Sequence, residues 1–165
     1  YEIRLSLVGS EMCIRDSIEY FDNHTSFDVV VSNKILSSAE TWKKITLPML
    51  GKHNVLNCLA SICIAIEMGI SENSIRNTLN NFKGIKRRFE SKGVTNNGIK
   101  IIDDYGHHPV EITYALSSGR ILASKNKLIV VFQPHRYSRL KDLFDEFCQC
   151  FNNADWAGSY LYLRG

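Results

Sequence analysis

Two apolar runs in this chain stop abruptly against polar clusters, and that pairing limits the fold more than any other feature. In Lys100-Ile101-Ile102-Asp103-Asp104-Tyr105-Gly106-His107-His108-Pro109, two isoleucines lead into two acids, a tyrosine and two histidines. Gly106 permits a tight turn, and Pro109 suits the first position of a helix, where a missing N–H costs nothing. Leu128 to Phe132 is continuously apolar and runs directly into Gln133-Pro134-His135-Arg136-Tyr137-Ser138-Arg139. Short runs of this kind read as buried strands, and Val110 to Ala123 is long enough for a crossover helix that returns the chain to a parallel strand. The fold class is therefore α/β, with right-handed crossovers. Ligands of open α/β sheets bind at the carboxyl ends of the strands. The pattern predicts one anion-binding site, made by two loops that emerge side by side from adjacent parallel strands.

Composition removes several other function classes. A net charge of +3 is mild, and the basic residues are dispersed apart from Lys86-Arg87-Arg88, so there is no stripe for a nucleic-acid backbone. No run approaches the ~20 apolar residues of a membrane span, and the start lacks the pattern of a signal peptide. The five cysteines, Cys13, Cys58, Cys63, Cys148 and Cys150, are odd in number and have no C-x-x-C spacing. They read as reduced packing residues of a cytoplasmic protein.

Taken in order, residues 1–17 keep neither helical nor strand period, and Ser6 to Ser17 resembles adaptor-derived sequence; this segment is set aside as artefactual or unplaced. Short β-rich runs between Ile18 and Leu47 read as hairpins. Val55, Leu59, Ile62 and Ile66 then mark the clearest helix, which ends at Gly69, and Ser71 caps a second helix carrying Ile75, Leu79 and Phe82. The Asn97-Gly98 pair predicts a hairpin joining Phe89–Val94 to the next strand. A single last helix is expected from Tyr137 to Phe151, carrying Leu140, Leu143, Phe144, Phe147 and Phe151 on one face. Beyond Ala157 the pattern dissolves, although a third sheet strand is expected there.

Four stretches in this order resemble the Mur ligase family: Gly51-Lys52-His53-Asn54-Val55-Leu56-Asn57, Gly84-Ile85-Lys86-Arg87-Arg88-Phe89, Asp103 to Pro109, and Phe132 to Arg139. The likeness runs from about Phe27 to Trp156. The resemblance implies residues 18–87 as the end of a central ATPase domain and 88–156 as a truncated Rossmann-like carboxy-terminal domain, with 157–165 an unplaced tail. It implies ATP-driven amide formation in peptidoglycan precursor synthesis. The last two stretches resemble the branch that joins L-alanine to UDP-N-acetylmuramate. ATP and Mg2+ are the implied cofactors. The family's Gly-Lys-[Ser/Thr] phosphate loop and magnesium ligands lie upstream of the matched segment, so the segment alone is expected to be inactive.

The same resemblance assigns roles. His53, Asn54 and Asn57 would face adenine, whose edge needs both a donor and an acceptor, as an amide supplies; the bland reading is that His53 or Asn54 caps the helix. Arg88 would reach the ATP phosphates, with Lys86 and Arg87 as solvated linker charges. Asp104 would accept from the ribose hydroxyls and Tyr105 would lie against the nucleotide, though an aromatic at a strand end is usually packing. His107, His135, Arg136 and Arg139 would face the amino acid and the muramate carboxylate, with Arg88 and His107 as the catalytic pair. The bland reading of the two arginines is a solvated basic helix end, which the helix dipole disfavours by about 0.3–1 kcal/mol per charge unless an anion is present.

Two rivals come from other classes. Asp103, Asp104, His107, His108 and His135 could serve a metal-dependent hydrolase, although Arg136 and Arg139 would repel a cation. The chain could instead be a non-catalytic module that keeps a nucleotide or amino-acid pocket.

Overall fold

Phe27, Val29 and Val31 have their side chains buried and the residues between them half-exposed, the period of a strand with one face on a core. The computed structural model describes residues 12–32 and 38–159. It divides into two units between Gly84 and Ile85. Within the second unit Arg87 is tied to the loop ahead of it, its carbonyl accepting from Tyr105 N at 2.8 Å.

The first unit is an antiparallel sheet in the order β1 (Met12–Tyr20), β2 (Thr25–Val31), β3 (Glu40–Leu47), followed by α1 (Lys52–Glu67) and α2 (Glu72–Asn80). The backbone of residues 12–17, set aside on sequence grounds, continues β1, with Met12 opposite Val31. Ladder bonds are indifferent to a strand's own side-chain period once β2 offers a free edge. A bulge in β3 puts Lys44 at φ 53°, and Asp28 Oδ1 holds it by accepting from Lys44 N at 2.8 Å. Val55, Leu59, Ile62 and Ile66 of α1 pack on Phe27, Val29 and Ile45. As expected, Ser71 caps α2, accepting from Ser74 N. The first residue of α1 follows Gly51, which lies at φ 100° and makes no side-chain cap bond.

The second unit begins with the expected hairpin: β4 (Glu90–Val94) pairs antiparallel with β5 (Lys100–Asp103), and Gly98 sits in its turn at φ 79°. Next come α3 (Pro109–Ala123), β6 (Ile129–Phe132), α4 (Tyr137–Asp142), α5 (Phe144–Gln149) and β7 (Trp156–Ser159). The single last helix of the sequence reading is two, because Leu143 leaves helical geometry at φ −120°, ψ 31°. The third strand is present after all. β7 runs parallel to β6 with Trp156 opposite Ile129, and extends past the expected limit at 156. Asp155 makes that register: its carboxylate accepts from Leu128 N at 2.6 Å and from Arg120 at 2.8 Å.

One expectation is corrected here. β5 and β6 are not adjacent strands, since β5 pairs with β4 and β6 with β7 in separate sheets. Between them, over the apolar side of α3, lies a cavity of about 590 Å³ lined by Ile102, Leu116, Gly119, Leu128 and Val130 among others. No helix among the described residues is long and apolar enough to cross a membrane.

Candidate functional site

The polar cluster of the second unit assembles at the ends of β5 and β6, although the two strands do not pair. Leaving β5, Asp104 turns the chain by itself: Oδ1 accepts from Gly106 N at 2.7 Å, and Oδ2 accepts from Phe89 N at 2.8 Å. Phe89 sits at φ 51° and Arg87 at φ 57°, conformations that cost an L-residue energy unless neighbours hold them. Asp104 is therefore engaged by backbone on both oxygens, and its remaining lone pairs are what a ligand could use. Asp103 faces away toward Arg87 and Lys92, at 3.7 and 3.9 Å.

Tyr105 stands between linker and loop. The Arg87 guanidinium lies 4.4 Å from the centre of its ring, a cation–π contact, while its side chain stays exposed to solvent, as the sequence implied. The Tyr105 ring also meets His107 edge-on at 5.3 Å and His135 at 6.4 Å, and the two histidine rings lie 6.5 Å apart. Arg139 Nη1 donates to the His107 carbonyl at 3.3 Å, which ties α4 to the loop after β5. Arg136 is the N-cap residue of α4 and is exposed; its guanidinium forms no hydrogen bond or ion pair among the described residues. His108 caps α3 by accepting from Val110 N at 3.3 Å.

Glu111, which the sequence reading passed over, sits at the centre of this arrangement. Its Oε2 accepts from His107 N at 3.0 Å, and its Oε1 lies 3.5 Å from Arg88 Nη1. Partial burial pushes the Glu111 carboxyl up. The His107 N–H, the His107 ring and Arg88 together outweigh that, and its pKa ends below the ordinary value. The available signal was its spacing, an acid three residues after the N-cap His108.

His53, Asn54 and Asn57 belong to the first unit and lie in the first two turns of α1. Asn54 does not cap the helix: its Nδ2 donates back to the Leu50 carbonyl at 2.7 Å. Asn57 is exposed, four residues before Ser61, whose hydroxyl donates to its carbonyl. Among the described residues, no three histidine, cysteine or acidic side chains are grouped to hold a metal, so the hydrolase reading finds no support.

Residues 87–160 match the Mur ligase, glutamate ligase domain. The UDP-N-acetylmuramate–L-alanine ligase of Rhodospirillum centenum is 52% identical over 129 residues, which are 78% of this chain and 26% of that protein. The ligase of the same name from Endomicrobium trichonymphae is 43% identical over 93% of this chain and 33% of its own length. Among solved structures, the UDP-N-acetylmuramate-alanine ligase of Thermotoga maritima superposes with a TM-score of 0.74 at 26% identity, covering 90% of this chain and 31% of that one. The chain thus spans between a quarter and a third of the length of these three relatives.

Proposed function

The chain belongs to the Mur ligase family, and on that premise we propose that it is a segment of an ATP-dependent ligase that joins L-alanine to the carboxylate of UDP-N-acetylmuramate. The reading places the enzyme in the cytoplasm, where ATP is available, with small molecules rather than nucleic acid or membrane as its partners. In the reaction, the muramate carboxylate attacks the γ-phosphate of ATP, and the amine of alanine then displaces phosphate from the acyl phosphate. Such chemistry requires positioning and neutralisation of negative charge more than covalent help.

The observation that carries the reading is the convergence of His107, His135 and Arg139 on one loop cluster, with Arg136 exposed and unpaired beside them. An unpaired guanidinium next to a second one suits a small carboxylate, which can take two charge-assisted hydrogen bonds. In this reading Arg136, Arg139 and His135 bind the amino acid and the muramate carboxylate, and His107 lines the reacting centre. Arg88 reaches toward the phosphates, Asp104 and Tyr105 meet the nucleoside, and His53, Asn54 and Asn57 meet adenine. The donor set fits ATP's anionic and amide-recognising parts. It does not fit magnesium, for which the described residues offer no oxygen cluster. The ion would be held by other parts of the whole enzyme.

The test is Arg136→Ala in the full-length enzyme. Loss of one desolvated charge-assisted contact predicts a fall of about 100-fold in kcat/KM for L-alanine, with the unfolding temperature unchanged. Unchanged alanine kinetics would remove Arg136 from the site. A full-length enzyme that hydrolyses ATP but ligates no amino acid would overturn the proposal itself.

A further inference from the structure

We infer that Glu111 is a positioning residue that uses its two carboxylate oxygens to hold Arg88 and the His107 loop in fixed relation, so that the two groups assigned above to ATP and to the amino acid are set by one side chain. The inference rests on that assignment, but the geometry stands without it. Oε1 faces Arg88 Nη1 at 3.5 Å, and Oε2 accepts from His107 N at 3.0 Å, with His107 Nδ1 a further 3.5 Å contact. The same ring nitrogen, His107 Nδ1, also lies 3.1 Å from the Tyr105 carbonyl. Arg139 closes the frame by donating to the His107 carbonyl.

A helix cap alone would need only one of these contacts. In the common capping arrangement, an acid three residues into the helix accepts from the N-cap N–H. Glu111 accepts one residue earlier, from His107, and spends its other oxygen on an arginine 23 positions upstream. The Arg88 backbone is set locally, its N–H donating to the Ile85 carbonyl at 3.1 Å, whereas its guanidinium meets Glu111. Its Nη1 is oriented by Glu111, which leaves the rest of the guanidinium fork free for an anion.

The variants are Glu111→Gln, which keeps one acceptor for His107 N but loses the charge facing Arg88, and Glu111→Ala, which loses both. Two measurements apply. In this chain, NMR should show the His107 amide and the Arg88 guanidinium signals moving together as Glu111 titrates; His107 and Arg88 are the charged or titratable groups facing it. Neither signal should follow that titration in Glu111→Gln. In the full-length enzyme, Glu111→Gln should raise KM for both ATP and alanine, with kcat/KM down about tenfold for each, as expected when a reacting group is misplaced without being removed. Glu111→Ala should lose more.

An Arg88 signal indifferent to Glu111 titration would overturn the inference, as would an active full-length Glu111→Gln enzyme with wild-type constants for both substrates. If the unsubstituted enzyme does not ligate alanine while the two NMR signals still move together, the functional reading has failed and the tie between Arg88 and His107 has not.

Discussion

The two units of this chain bury themselves to very different degrees. In the first, Phe27, Val29, Val31, Ile45, Val55, Leu59 and Ile62 are at most 1% exposed, and the sheet face and the α1 stripe close on each other. In the second, the buried hydrophobic cluster is Ile112, Leu116, Phe147 and Cys150, while Ile129 and Val131 of β6 are 62% and 73% exposed. The difference teaches where each unit's order comes from. The first is held by apolar burial, at about 25 cal/mol per Å². The second relies heavily on polar ties at its loops: Asp155 on Leu128 and Arg120, Asp104 on Phe89 and Gly106, and Glu111 on His107. The ties made by Asp104 and Glu111 are also where the candidate site lies.

The largest expected effect breaks the first unit. Leu59→Ala should cost about 2–5 kcal/mol, the range for a fully buried leucine whose cavity cannot collapse. Urea unfolding followed through buried Trp42 is the measurement, since that residue reports on the same core. A cost below about 1 kcal/mol would place the site outside a close-packed core. The thiols give a second reading of the same burial: Cys58 is pushed up to about 12 by desolvation, so it should resist alkylation in the folded protein while exposed Cys148 reacts.

This contrast also decides what could be read from the residues. The α1 stripe and the alternation of β2 were legible because each element has a single buried face, and periodicity encodes that directly. β1 was not, and β7 was expected as a third strand without a pattern to place it: the strand Trp156–Ser159 has no alternation, and its place depends on Asp155 pinning Leu128 from 27 positions away. The break at Leu143 was hidden because the apolar stripe of α4 and α5 continues across it. The two polar strand ends were legible as loops that meet, yet their strands do not pair, because meeting needs only loop reach, while pairing needs a free edge at about 4.8 Å. Asp104 was visible as an acid in the right place; that both its oxygens hold backbone depends on the left-handed turn at Arg87 and Phe89, which neither residue type announces.

A moderate effect sharpens the comparison from the other side. A Cβ on Gly119 would meet Leu128 Cδ1 and Cδ2 at 3.2 and 3.3 Å, tight enough to be destabilising in a closed core. Leu128 lines the open cavity, so its side chain has room to yield. Gly119→Ala should then keep most of the gain of about 1 kcal/mol that alanine has over glycine inside a helix. Hydrogen exchange of α3 amides measures it. A loss of stability instead would mean that α3 and β6 are packed as rigidly as the first unit.

Acidification should separate the polar-held unit from the apolar one. The pKa of Asp155 is lowered by its bonds to Arg120 and then to Leu128 N. A carboxylate depressed by folding contributes stability above its unfolded value, and loses it as pH falls through the folded one. Exchange at β6 and β7 should therefore quicken below the ordinary carboxylate range while that of α1 stays slow. Asp155→Asn should show faster β6 exchange at neutral pH and a flatter response to acid. If the variant and the parent differ by the same amount at every pH, the ion pair contributes nothing there.

The smallest effect is expected on the exposed face of β6. Ile129→Thr and Val131→Thr keep the β-branched shape and strand propensity while removing apolar surface. Neither residue is in the buried cluster, so each change should move stability by no more than about 0.5 kcal/mol. The double variant should also bind less of a hydrophobic dye, since the face it alters is the one left to solvent. Val130→Thr, one position away and turned toward Leu116 and Phe147, should cost several times more, because burying a hydroxyl without a partner adds to the lost packing. A double variant as damaging as Val130→Thr would show that the face is covered in solution, and the contrast between the two units would fail at its most exposed strand.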